Sequence, residues 1–238
     1  MIEVPLDVLK QFPIESIGQD NGECVGYSVS SAIGNYIGVP CDLEFNYAAG
    51  LWITNTIPET YGEGLYQAMV AAIVYGALPV LNEGPIPMPQ LEAANFANYT
   101  PTQKQIAQQY AQRGLITLSS YTGIANYILQ YKMAVPLAVS WYESFNTSVV
   151  NGVLPMPQPG EQPISGHCVA VFDSNVSGLV INAWTGGYLI MPPAVFNACY
   201  AAAFGFNPNA SRWLSLAYAA LQYPRRIPDI LPQMFTTN

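Results

Sequence analysis

The sequence predicts an α+β protein whose helices come first and whose sheet comes second. Three observations carry that reading. Apolar residues between 24 and 37 fall at helical spacing, and residues 166–173 and 178–184 read as two strands of one hairpin. The change of character falls near residue 133, with no alternation of strand and helix of the βαβ kind.

Taken in order, residues 1–23 read as an extended segment punctuated by glycine and proline. In CVGYSVSSAIGNYI the residues Val25, Val29, Ala32, Ile33 and Tyr36 line one helical stripe, and Gly38 and Pro40 end it. Residues 41–61 are mixed, with a short helix about 43–51. A helix is predicted over 64–75, with Gly76 as its stop. The proline-rich stretch 82–90 reads as a surface loop. Helices over 101–113 and 123–132 follow, the second closed by Pro136. Beyond them come a strand at 137–142 and a long Gly/Pro loop at 151–163. GHCVAVFD and GLVINAW then pair about the turn Ser174-Asn175-Val176-Ser177. A short strand at 188–191 and helical pieces at 193–203 and 209–221 complete the chain.

Composition excludes several classes of function. The 238 residues are 51% hydrophobic and 9% charged, against about 25% charged in an average globular protein, which is the reverse of a disordered chain. One large domain or two small lobes, with a real hydrophobic core, fits that length. Seven Lys+Arg against fifteen Asp+Glu, a net charge of -8, could not neutralise a run of phosphates, so no nucleic-acid partner is expected. Mean hydropathy is +0.21. The longest apolar stretch, 68–81, is interrupted by Gly76 and Pro79 and falls short of the roughly 18–20 residues of a membrane span. No membrane partner is expected. The start MIEVPLDVLKQFPIES lacks the basic and apolar regions of a signal peptide, so a cytoplasmic or virion-associated location is expected. Cys24, Cys41, Cys168 and Cys199 form no C-x-x-C pair, and there is one histidine, so neither a metal site nor a cofactor is expected. No G-x-S-x-G, H-E-x-x-H or phosphate-binding glycine loop is present.

Three residues remain that carry chemistry together. Cys24 opens the first helix, where the macrodipole and free N–H groups favour an anion and lower a thiol's pKa. Alone, it reads more readily as a small buried hydrophobe. His167, the sole histidine, lies on the 166–173 strand, where the two-residue period places it with Val169 and Val171 and away from Cys168. If the hairpin turns symmetrically about residues 175 and 176, Asn182 falls opposite Val169 and Trp184 opposite His167. Asn182 would then be a diagonal neighbour of His167, its carbonyl orienting the imidazole and Trp184 shielding the contact.

These residues resemble the papain-like cysteine proteases, in a divergent bacterial or phage-type form. Gln19-Asp20-Asn21-Gly22-Glu23-Cys24-Val25-Gly26-Tyr27-Ser28 is similar to the family's Q-G-x-C-G-S-C-W-A-F-S. Ser165-Gly166-His167-Cys168-Val169-Ala170-Val171 is similar to its G-H-A-V-x-x-V, and Leu179-Val180-Ile181-Asn182-Ala183-Trp184 to its L-I-K-N-S-W. His167 lies 143 and Asn182 158 residues after Cys24, against about 130–150 for the papain/cathepsin partners. Weaker echoes at 61–64, 76–79, 134–139 and 142–145 keep the family order.

The resemblance implies a single domain over 1–238, a helical lobe about 15–118 and a β-barrel-like lobe about 119–238, with the cleft between them. It implies a cysteine endopeptidase acting on polypeptides. Cys24 would be the nucleophile, His167 the base and later acid, Asn182 the orienting group, and Gln19 the oxyanion donor beside the Cys24 N–H. A protonated His167 would help to stabilise the thiolate. Glu63, Gly64 and Trp184 would line the substrate site. The Gln19–Cys24 gap is one residue shorter than the family's, which makes Asn21 the fallback donor, and Val25 and Thr185 replace the family's Trp and Gly. Two alternatives stand beside this reading: a catalytically weak or inactive binding module with an assembly partner, as in a virus particle, or another Cys–His amide hydrolase such as a peptidoglycan amidase.

Overall fold

The computed structural model describes residues 23–55, 64–80, 95–182 and 187–224. Within them the chain forms α1 (Cys24–Ile37), α2 (Leu43–Thr54), α3 (Leu65–Val74), α4 (Pro101–Gln108), β1 (Leu115–Thr117) and α5 (Tyr121–Tyr131). There follow β2 (Val135–Trp141), α6 (Glu143–Thr147), β3 (Ser165–Ser174), β4 (Leu179–Asn182) and β5 (Tyr188–Met191). The described chain closes with α7 (Pro193–Cys199), β6 (Tyr200–Phe206) and α8 (Arg212–Gln222). The six strands make one sheet in the order β1-β6-β2-β3-β4-β5, every neighbouring pair antiparallel. The α+β class therefore holds.

Local chemistry ends the helices. Gly38, at φ 74°, closes α1 by donating its N–H to the Gly34 carbonyl at 2.9 Å. The Asp42 carboxylate caps α2 by accepting from the Phe45 N–H at 3.0 Å, and Ser120 caps α5 through the Gly123 N–H. Thr100 and Gln103 form a reciprocal capping box at α4. Gly76 follows α3 at φ 82°, the left-handed conformation its stop requires.

The first helix is held against α2 on one side and against β2 and β3 on another. Gly26 permits the approach to α2: a Cβ there would stand 2.7 Å from the Tyr47 Cβ and 2.9 Å from the Tyr47 Cα and N. Val25, Val29 and Ile33 of α1 join one hydrophobic cluster with Val135, Leu137 and Val139 of β2 and Val169 and Val171 of β3. A second cluster gathers Phe45, Val70, Ile73, Phe96 and Tyr99, with the Phe45 and Tyr99 rings edge to face at 5.0 Å. Burying these side chains drives the assembly, at about 1.5–3 kcal/mol for each large one.

Four elements depart from the sequence expectation. The helix expected over 101–113 stops at Gln108, and β1 and α6 were not anticipated. The helical piece expected over 193–203 ends at Cys199, where Tyr200 (φ -55°, ψ 130°) turns the chain into β6. Ala202 and Ala203 have strong helix propensity, but they pair with Ala138 and Leu137 of β2, and Phe204 pairs with Thr117 of β1. Tertiary pairing overrides local preference there. The extended segment expected over 1–23, apart from Glu23, and the loop over 82–90 lie outside the described residues. Among the described residues no helix is long and apolar enough to cross a membrane, and no group of three or more His, Cys, Asp and Glu could hold a metal ion.

Candidate active site

Cys24 is the first residue of α1. Glu23, before it, makes no side-chain capping bond to the helix. Cys24 is half-buried, whereas Cys41, Cys168 and Cys199 are buried. Burial pushes the Cys41 and Cys199 thiols up to about 12, which keeps both protonated and unreactive at neutral pH. The helix N-terminus favours a thiolate at Cys24. The buried Glu23 beside it works in the opposite direction whenever it is ionised.

His167 sits on β3, the strand against which α1 packs. Ser165 and Gly166 are exposed, and burial begins at the histidine itself, which is 7% exposed. The Trp141 ring meets the imidazole edge to face, with centroids 4.8 Å apart and planes at 82°. Burial pulls the His167 pKa down to about 3, so the imidazole is neutral near pH 7. This corrects the expectation of a protonated His167 in the resting protein.

Asn182 ends β4 and is 6% exposed. Its position departs from the symmetric hairpin. The turn closes between Asn175 and Gly178, Asp173 pairs with Val180, and an irregularity between Val171 and Asp173 shifts the register so that Val171 faces Ile181. Asn182 consequently stands opposite Ala170, not Val169. Its Oδ1 accepts the Ala170 N–H at 2.8 Å. By strand alternation Asn182 falls with Cys168 and Ala170, while His167 falls with Val169 and Val171. The carbonyl expected on the imidazole is engaged by the backbone of the histidine's own strand.

Tyr27 stands one turn after Cys24 on the same helix. Its buried hydroxyl faces Asn182 and Ser31 without a hydrogen bond of good geometry, and burial raises its pKa. Sequence reasoning quoted Tyr27 without a role and passed over Trp141. The signal for Trp141 is its place on an alternating strand with Leu137 and Val139. Gly64 precedes α3 as its N-terminal cap and is exposed. Gln19, Asn21, Glu63 and Trp184 lie outside the described residues.

No protein-family model matches the chain, and no curated protein matches it in sequence. Solved structures do match. Xylellain, a cysteine protease from Xylella fastidiosa, is 15% identical, with 78% of this chain and 79% of that one covered at a TM-score of 0.61. The Carica candamarcensis cysteine protease CMS1MS2, in complex with E-64, is 11% identical over 79% of this chain and 89% of that one, at a TM-score of 0.55. The fold is papain-like. Digestive procathepsin L 3 of Tenebrio molitor larval midgut agrees with it, at 16% identity over 78% of this chain and 63% of that one, with a TM-score of 0.54. At these identities the likeness establishes the papain-like fold alone. In this chain that fold joins the helix opening on Cys24 to the strand bearing the sole histidine.

Proposed function

We propose that this protein is a cysteine endopeptidase. The observation that carries the reading is the pairing of elements: the one half-buried thiol opens a helix packed on the strand of the sole histidine, in a papain-like fold. Neutral His167 takes the Cys24 proton as sulfur attacks an amide carbonyl. The tetrahedral oxyanion is stabilised by the Cys24 N–H and by Gln19, or by Asn21 in its place. Collapse expels the amine, which leaves with the proton from His167. Water, deprotonated by the same imidazole, then hydrolyses the thioester and restores the thiol. Asn182 orients His167 through the backbone of β3, and Gly64 with Glu63 and Trp184 borders the polypeptide substrate.

Iodoacetamide labelling between pH 4 and 9, mapped by peptide mass spectrometry, tests this. At pH 7 the label is expected on Cys24, with Cys41 and Cys199 protected, and His167→Ala slows it by about tenfold or more, the contribution of a positioned base. Casein cleavage disappears in Cys24→Ala. A Cys24 that reacts as an ordinary thiol near 8.5, indifferent to His167→Ala, refutes the catalytic reading.

One observation favours a second reading, a binding module in a larger assembly. α8 turns Trp213, Leu214, Tyr218 and Leu221 outward, Leu221 being 81% exposed. Intact casein together with an ordinary Cys24 thiol decides for the module. Cleavage of peptidoglycan with casein left whole decides for an amidase.

A further inference from the structure

Trp141 stands where the sheet brings it to His167. In the β2–β3 ladder Val139 faces His167 and Trp141 faces Ser165. Antiparallel partners share a face, and alternation returns Trp141 to the face of Val139, so indole and imidazole are diagonal neighbours. The indole is itself held at two points. Its Nε1–H donates to Asn146 Oδ1 at 2.8 Å, and the Phe145 ring meets it edge to face at 5.2 Å and 84°. Both partners come from α6, which begins two residues after Trp141. Asn146 is in turn near Glu143 Oε2, at 3.4 Å.

We propose that Trp141, clamped by Asn146 and Phe145, is the positioning residue of His167: it fixes the plane of the imidazole and excludes water from its buried side. The proposal rests on the peptidase reading and gives Trp141 the shielding role that the symmetric hairpin would have given Trp184. The arrangement is economical in sequence, because strand and clamp follow one another directly. A rotating imidazole would present its nitrogen to Cys24 for only part of the time, and displacement of a catalytic group by about 1 Å is enough to cost up to 10²-fold in rate.

The sole histidine makes the test direct, since its Cε1–H proton resonance needs no assignment. The titratable groups on elements packed against β3 are Cys24, Tyr27 and Tyr36 on α1, with Glu23 at its head, and Tyr121, Tyr127 and Tyr131 on α5; β2 and β4 carry none. Neither variant alters these groups. Trp141→Phe removes the clamped N–H, and Asn146→Ala removes the exposed end of the clamp, so a fold that tolerates only the second still gives an answer.

In both variants the His167 titration midpoint is expected to rise by about one pH unit toward its ordinary value as water gains access. The ring-current displacement of the Cε1–H resonance shrinks alongside. Against a peptide substrate kcat falls about tenfold while KM stays, the signature of an interaction that matters in the transition state. Wild-type values of midpoint and kcat in Asn146→Ala and in folded Trp141→Phe, with Cys24 still selectively alkylated, overturn the proposal and leave the peptidase reading standing. An ordinary Cys24 thiol in the wild type overturns both.

Discussion

Glu44 gives a prediction with a defined sign. It is the second residue of α2, where the helix dipole favours a negative charge, yet its pKa is raised from 4.5 to about 7. Burial is the largest cause, followed by repulsion from Glu23 and from Asp42. Oε2 is buried and has no hydrogen-bond partner among the described residues. The folded protein therefore binds the Glu44 proton more tightly than the unfolded chain does. The stability this confers is full below about pH 4.5 and is lost as pH rises through about 7. At 1.36 kcal/mol per pH unit the whole rise sets an upper bound of about 3.4 kcal/mol. Glu44 is only partly buried, and solvent screening reduces the effect to about 1–2 kcal/mol.

Glu44→Gln removes the titration and keeps the shape. The variant should match the wild type at pH 4 and exceed it by about 1–2 kcal/mol at pH 8. Urea denaturation across pH 4–8 measures this, as a difference in midpoint of about 0.5–1 M for a slope near 2 kcal/mol/M. Asp42, also raised by burial, titrates in both proteins and cancels from the difference to first order. A difference between the two proteins that does not change with pH would refute the reasoning, since Glu44 would then be ionised throughout.

Gly26→Ala would place a methyl against Tyr47 backbone atoms, and overpacking of about 1–3 kcal/mol outweighs the helix-propensity gain of about 1 kcal/mol. Equilibrium unfolding should show a net loss, with slower Cys24 alkylation as α1 is pushed from its seat. Asn182→Ala leaves the Ala170 N–H without its acceptor, at a cost of about 1–3 kcal/mol. Faster hydrogen exchange at Ala170 than in the wild type checks that prediction.

Helix α1 was legible because its signals are local. The apolar stripe from Val25 to Ile33 and the Gly38 stop lie within one segment, and the residue that opens it carries the thiol. His167 on a strand and Asn182 on the next were legible for the same reason, since alternation and turn residues are short-range. The short motifs around Cys24, His167 and Asn182, in their order and spacing along the chain, suggested the fold that the solved structures share.

What required the tertiary structure depends on pairing between distant segments. The first four residues of β6 read as helix by propensity and become strand because β2 and β1 satisfy the backbone of β6 on both sides. The partner of Asn182 changes from Val169 to Ala170 through one irregularity near Phe172, and a single-residue slip transfers every later side chain to the other face. The resting charge of His167 is likewise set by surroundings, because the desolvation that keeps it neutral comes from the packing around it, with Trp141 of β2 against the ring. Sequence determines which groups are present and which local elements bear them; water's access to those groups is decided only when remote strands meet.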